Sequence, residues 1–223
     1  MNGTDLFIVF RGTRTPLEWF RNSEVKQTFF LDGFGSTTKG FNKIFTQLWD
    51  TINQGISNIA SNQISNVFIT GHSLGSALAT LCAAKVKITF PNLNVKLYTF
   101  ASPRVGDLNF ANKFKSLQIL EHFRIANIED IVTTVPLATS SLEKSPPFFL
   151  TPKITEITSW AAEWIVATEV KTTLALITNN EIFKHVGTPV YFTYMPDHEV
   201  SIADIHNLKN SYISGFFDYF LPP

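Results

Sequence analysis

The chain has 223 residues, of which 44% are hydrophobic, and it carries 18 Lys+Arg against 18 Asp+Glu. This zero net charge argues against nucleic acid as the main partner, because binding phosphates needs a surplus of Lys and Arg on one face. A single cysteine, Cys82, excludes an intrachain disulfide framework and a cysteine-based zinc site. The length and the apolar content predict one domain over residues 1–223 with a buried core.

The first residues, MNGTDLFIVFRGT, contain no basic segment followed by a long apolar one, so no secretory signal is visible. No uncharged apolar stretch reaches the length of about 18 residues that a membrane-spanning helix needs. We therefore expect a cytoplasmic protein by default, without a spanning helix.

Strand and helix patterns alternate along the chain. Short β-rich runs bounded by turn residues predict strands at Leu6–Phe10, Val67–Thr70, Val95–Phe100 and Leu120–Ala126. Apolar residues at helical spacing predict helices over residues 41–59 and 74–82. The alternation predicts an α/β fold with a mostly parallel sheet flanked by helices. Active residues are then expected on loops at the carboxyl ends of the strands.

The run Gly71-His72-Ser73-Leu74-Gly75 joins a predicted strand to a predicted helix. Two glycines around a serine at such a turn are typical of a nucleophile elbow, which exposes the serine hydroxyl on a strained backbone. The amide of Leu74 then points at any oxyanion that forms beside Ser73. The simpler interpretation is a glycine-rich turn with an inactive serine.

Further motifs occur in a fixed order along the chain: Phe10-Arg11-Gly12-Thr13, the elbow, Ala101 to Asp107, and Asn127 to Val132. Together they resemble the class 3 lipases. The resemblance implies an α/β-hydrolase fold, a serine nucleophile and carboxylic-ester substrates, often acylglycerols or phospholipids. It also implies that the backbone amide of Thr13 is the second oxyanion donor. No metal or organic cofactor is implied.

The catalytic acid is predicted to be Asp130. In α/β-hydrolases the acid follows the serine and precedes the histidine in chain order, and Asp130 lies on a loop after a predicted strand. It also matches the acid of the class 3 lipases. Two other carboxylates are less suitable, because Glu129 points away from its neighbour on a regular backbone and Asp107 stands where a helix N-cap is expected.

The base is predicted to be His206, with His198 as the alternative. Both come late enough in the sequence, and the segment Asp204 to Tyr212 resembles the family's final histidine followed by a tyrosine. Asp197 directly before His198 is also a family feature, so the sequence leaves both residues open. His206 also flanks an apolar helical stripe, which offers a purely structural explanation for it.

Two features depart from the class 3 pattern. The chain begins only a few residues before the first predicted strand, so we expect a sheet that lacks the outer amino-terminal part. A helical insert is predicted at about 139–184, and its Trp160 and Trp164 suggest a cap on the acyl pocket or an element at a lipid interface. A helix packed on the core explains the pattern as well. The resemblance also puts a lid at Thr15 to Leu31.

The sequence thus predicts a serine hydrolase that cleaves carboxylic esters of lipids, as a triacylglycerol lipase or a related acylglycerol lipase or esterase. Alternatives within enzymes are a phospholipase A1 and an aromatic-ester esterase. A catalytically weak lipid-binding or membrane-surface protein on a hydrolase scaffold is the alternative from another class. The expected partners are a lipid or small ester and, transiently, a lipid interface; the oligomeric state is not predicted.

Overall fold

The computed structural model describes residues 4–13, 27–59, 63–134, 183–194 and 202–213. Seven strands, four α-helices, a 3₁₀ turn and a π-helical turn lie in these ranges. The strands are β1 Thr4–Phe10, β2 Gln27–Leu31, β3 Gly35–Thr38, β4 Ile64–His72, β5 Asn94–Phe100, β6 Glu121–Asn127 and β7 Thr188–Phe192. The helices are α1 Lys39–Asn58, α2 Leu74–Thr89, α3 Leu108–Ser116 and α4 Ile202–Ile205, with the 3₁₀ turn at Ile131–Thr134 and the π-helical turn at Leu208–Ile213.

Five parallel strands form the central sheet, in the order β1-β4-β5-β6-β7. The predicted parallel sheet is confirmed, and each predicted strand matches an observed one, although Leu120 lies just outside β6. The strands end close to one another, since Phe10 pairs with Gly71, His72 with Phe100, and Asn127 with Phe192. The carboxyl ends of all five strands therefore meet at one edge, where the predicted site residues follow them.

The main core lies between one face of this sheet and α2. Alternate residues of β4 and β5 are completely buried, including Val67, Ile69, Val95 and Leu97. Small residues let α2 pack closely on the strands, and α1 packs against α2 from outside. The other sheet face carries a second core at its carboxyl end, formed by Ala101, Ile125, Phe192 and Tyr212.

Some predicted segments fall partly or wholly outside the described residues. Of the predicted lid, Gln27–Leu31 is strand β2, which pairs with β3 in a hairpin, and residues 15–26 lie outside the described ranges. Of the predicted insert, residues 139–182 lie outside them as well, including both tryptophans. Lys184, at the end of the predicted helix, instead forms an isolated β-bridge with Gly106.

Two further expectations concern Cys82 and membrane spans. Cys82 is completely buried as a free thiol within α2, as a small hydrophobic residue would be. In the part of the chain that the structure describes, no helix combines the length and the apolar character needed to span a bilayer.

Close approach of α2 to the sheet depends on two glycines. A Cβ atom on Gly71 would lie 2.2 Å from the carbonyl oxygen of Gly75, and one on Gly75 would lie 2.3 Å from that of Phe10. Backbone atoms on both sides leave no room for a methyl group. The glycines at these positions therefore set the distance between the helix and the strands beside the elbow.

We expect Gly75→Ala to lower the free energy of unfolding by more than about 2 kcal/mol, since the new methyl group meets backbone and not a flexible side chain. Gly55→Ala in α1 is the matched control, because its Cβ atom would meet no atom within 4 Å. That control should be neutral or stabilising by up to about 1 kcal/mol. Urea unfolding measures both, and equal effects would contradict the packing argument.

Stability should fall in acid because buried histidines stay neutral in the folded state. Burial, with the nearby Arg124, lowers the pKa of His122 from 6.5 to about 4. Below pH 6.5 the unfolded chain binds a proton that the folded chain rejects, so stability decreases as the pH falls. For His122 alone the loss reaches about 3 kcal/mol near pH 4. Urea unfolding at stepped pH should give a shallower decline for His122→Asn; an unchanged slope would disprove this assignment.

Candidate active site

Ser73 lies at the tight turn between β4 and α2, with φ 57° and ψ −126°. This is a left-handed φ in a non-glycine residue, which is the strained conformation expected of a nucleophile elbow. Its amide donates to the carbonyl of Phe100 at 3.0 Å, and its own carbonyl accepts from the amide of Ser76 at 2.9 Å. Hydrogen bonds to the neighbouring strand and to the helix thus hold the backbone of Ser73 on both sides.

The loop after β1 runs beside the elbow. A Cβ atom on Gly12 would lie 2.7 Å from the carbonyl oxygen of His72, so the two backbones are in close contact. Thr13 follows directly, and Leu74 is the first residue of α2. Because the amide groups of a first helical turn have no partner within the helix, this end of α2 favours negative charge. The loop that leads into Thr13 therefore lies against the elbow that precedes Leu74.

Asp130 follows β6 and is completely buried. Its Oδ1 accepts from the amide of Val132 at 2.9 Å. Its Oδ2 accepts from two side chains, Nδ1 of His206 at 2.7 Å and the hydroxyl of Tyr212 at 2.6 Å. Three donors thus surround this carboxylate, as a buried carboxyl group requires.

Side chains from other parts of the chain contact the 3₁₀ turn that follows Asp130. Nη1 of the buried Arg104 donates to the carbonyl of Thr134. The ring Nε2 of His185 lies 2.8 Å from the carbonyl of Thr133. These contacts hold the end of the turn in place. The carboxylate of Asp130 therefore lies directly before a segment that hydrogen bonds to other parts of the fold stabilise.

His206 is 1% exposed and lies just after α4. Since its Nδ1 donates to Asp130, its Nε2 keeps a lone pair and is the nitrogen able to accept a proton. Within the described structure, Nε2 of His206 and Oγ of Ser73 are both buried without a hydrogen-bond partner. The apolar stripe around His206 is not one helix, because α4 ends at Ile205.

His72 connects the elbow to His206. Its ring centroid lies 4.7 Å from that of His206 and 5.5 Å from that of Tyr212. Burial, together with the adjacent His206, lowers the pKa of His72 from 6.5 to about 4. His72 is therefore neutral near pH 7, and it does not compete as a second positive charge when the neighbouring ring binds a proton.

Two other side chains, Asp107 and His122, make their contacts elsewhere in the fold. His198 lies outside the described residues, so the alternative base stays a prediction. Asp107 caps α3 by accepting from the amide of Phe110 at 2.7 Å, as its predicted N-cap position requires. His122 lies within β6, where its ring packs against Phe114.

Sequence reasoning missed the contact between Tyr212 and Asp130 and the polar contacts of Asn127. Tyr212 lies 82 positions from Asp130, and only folding brings the two together. The tyrosine after the final histidine was the one available signal. In the described ranges, no cluster of three or more His, Cys, Asp or Glu side chains is suited to a metal ion.

The chain is similar to known proteins in sequence and in fold. The model of the class 3 lipase family matches residues 7–140. A chloroplastic phospholipase A1 of Arabidopsis thaliana is 35% identical over 151 residues, covering 59% of this chain and 34% of its own length. This chain therefore spans about a third of that relative.

Two solved structures are similar in fold. The triacylglyceride lipase of Rhizomucor miehei is 31% identical, with a TM-score of 0.56 over 60% of this chain and 52% of its own. A triacylglycerol lipase whose catalytic centre is described as a serine protease triad is 31% identical, with a TM-score of 0.52 over the same shares. The matched family model extends over more than half of the sequence and includes the elbow and Asp130. The chain belongs to the class 3 lipase family.

Proposed function

We propose that the protein is a serine hydrolase that cleaves carboxylic esters of lipids through an acyl-enzyme on Ser73. The observation that carries the proposal is the 2.7 Å contact between Nδ1 of His206 and Asp130, with Nε2 left unpartnered. A serine hydroxyl is a weak nucleophile near pH 7 and needs such an oriented base. The strained turn at Ser73 supports the same role.

In the first half of the reaction, Oγ of Ser73 attacks the ester carbonyl carbon while Nε2 of His206 takes the hydroxyl proton. Asp130 stabilises the imidazolium that forms, and the neutral His72 beside it adds no opposing charge. The tetrahedral intermediate then collapses, the bond to the leaving oxygen breaks, and His206 returns the proton to the departing alcohol. Water repeats the sequence on the acyl-enzyme and releases the carboxylic acid.

The amides of Leu74 and Thr13 would bind the negative oxygen of each tetrahedral intermediate. A single donor of this kind lowers the barrier by about 3 kcal/mol in well-studied hydrolases. The close contact between Gly12 and the carbonyl of His72 supports this role, because it brings the loop of Thr13 to the elbow.

The substrate class we propose is an acyl ester of a glycerolipid. One similar protein is named as a phospholipase A1 and one similar structure as a triacylglyceride lipase, and both names refer to acyl esters of glycerol. The phospholipase A1 alternative is therefore retained beside the acylglycerol lipase. A transient lipid interface fits either substrate.

Hydrolysis of a chain-length series of chromogenic esters tests the site assignments. Ser73→Ala and His206→Ala should each lower kcat by about 10³-fold or more, because each removes a member of one catalytic unit. His198→Ala is the control and should retain activity. An inactive His198→Ala beside an active His206→Ala would reassign the base.

Labelling by a fluorophosphonate separates the enzyme from a lipid-binding scaffold. We expect one label per folded molecule, attached to Ser73 and absent in Ser73→Ala, since the reagent needs an activated hydroxyl. Folded protein that binds lipid vesicles but takes no label would instead support the catalytically weak protein. Hydrolysis of a phospholipid with a labelled first acyl chain distinguishes the two lipid classes.

Tyr212→Phe removes the hydroxyl that donates to Oδ2 of Asp130 at 2.6 Å and keeps the ring that packs in the second core. Losing a hydrogen bond to a charged group typically costs about 1.5 to 3 kcal/mol. We expect kcat to fall by about 10-fold with KM nearly unchanged, as measured by steady-state ester hydrolysis. An unchanged kcat would show that His206 and Val132 suffice to hold the carboxylate.

A further inference from the structure

Asn127 is the last residue of β6, and its side chain is completely buried. Its Nδ2 donates to the carbonyl of Tyr194 at 3.0 Å and to Oγ of Ser211 at 2.9 Å. Its Oδ1 accepts from the amides of Glu129 at 3.2 Å and Tyr194 at 3.3 Å. All four hydrogen-bonding positions of the amide group are thus occupied, as an amide can make two donations and two acceptances.

These four bonds join three separate parts of the chain. Tyr194 lies just beyond β7, Glu129 directly precedes the acid, and Ser211 belongs to the π-helical turn that follows the base. The backbone amide of Asn127 adds a fifth bond, to the hydroxyl of Tyr212 at 3.2 Å. That hydroxyl in turn donates to Asp130. Asn127 is therefore the point at which β6, β7 and residues 202–213 meet.

We propose that Asn127 is a positioning residue, which docks the segment carrying His206 onto the strand that carries Asp130. The inference rests on the proposed function of the site and adds the residue that aligns its acid and base. His206 and Asp130 are 76 positions apart, so their 2.7 Å contact depends on how the two segments are docked. Displacements of about 1 Å in such a contact are known to cost about 100-fold in rate.

An amide side chain is required at this position. Aspartate has the same shape but no donors, so it would face the carbonyl of Tyr194 with a second oxygen. Leucine would leave the carbonyl of Tyr194 and two backbone amides without their partner. In both cases Oγ of Ser211, which belongs to the segment that carries His206, also loses the donor that holds it to β6.

The test compares Asn127→Asp, Asn127→Leu and Ser211→Ala with Asn66→Ala as the matched control. Asn66 also lies on a sheet strand, but its Nδ2 donates to Asp5 in an exposed contact at the amino end of β4. We expect either Asn127 variant to lose about 100-fold in kcat with KM within about 3-fold. Ser211→Ala removes one acceptor only and should lose about 3- to 10-fold. Asn66→Ala should match the wild type.

A second readout does not depend on turnover. The Nδ1 proton of His206, held against Asp130, should give a far-downfield proton resonance in the wild type. This signal should broaden or disappear in the Asn127 variants at a temperature where urea unfolding shows them folded. If the Asn127 variants do not fold, Ser211→Ala still tests the proposal through a weakened signal and a reduced kcat.

Two results would overturn the proposal. One is a downfield signal and a kcat per folded molecule that both stay unchanged in the Asn127 variants, even if these variants are less stable. Asn127 would then only support the fold. Where the Asn127 variants do not fold, the same result in Ser211→Ala counts instead. The other is an equal loss in Asn66→Ala. A wild type that hydrolyses no ester contradicts the proposed function instead, and the resonance still reports whether Asn127 aligns the pair.

Discussion

One carboxylate oxygen, Oδ2 of Asp130, accepts hydrogen bonds from both His206 and Tyr212. The two donors belong to the same short carboxyl-terminal segment, whereas the acceptor follows β6. A buried carboxylate is stable only when its lone pairs are satisfied, so docking of that segment supplies donors that the buried Asp130 needs. The same contact fixes which nitrogen of His206 is free to act as a base.

Polar atoms at this end of the sheet divide into two groups. The side-chain amide of Asn127 has a complete set of partners and the carboxylate of Asp130 has three donors, so both hold the segments around them together. Oγ of Ser73 and Nε2 of His206 are buried without partners in the described residues, as are Nε2 of His72 and Nδ1 of His185. Buried polar groups are normally satisfied, so unpaired atoms at a strained turn are the ones that we expect to meet a substrate.

Two packing constraints fix the position of the elbow that carries Ser73. The glycines of the elbow let α2 approach β1 and β4 until backbone atoms touch, and the parallel register brings the end of β1 beside Gly71. His72 then fills the space between the elbow and the rings of His206 and Tyr212. A fold of this kind carries many different functions, because function depends on the residues of the site and not on the fold.

The sequence alone determined four of the five strands of the parallel sheet, the elbow at Ser73 and the capping role of Asp107, but it missed β7. These depend on neighbours within a few positions: alternating apolar residues, flanking glycines, and a carboxylate before a helix. It also put Asp130 and His206 forward by chain order and family resemblance, but left His206 and His198 open. Only the tertiary structure joined His206 to Asp130, brought in Tyr212 and made Asn127 the junction. Those contacts link residues more than 60 positions apart in the sequence. They form only when β6, β7 and residues 202–213 pack together at one edge of the sheet, and no local sequence pattern encodes the distances between these segments.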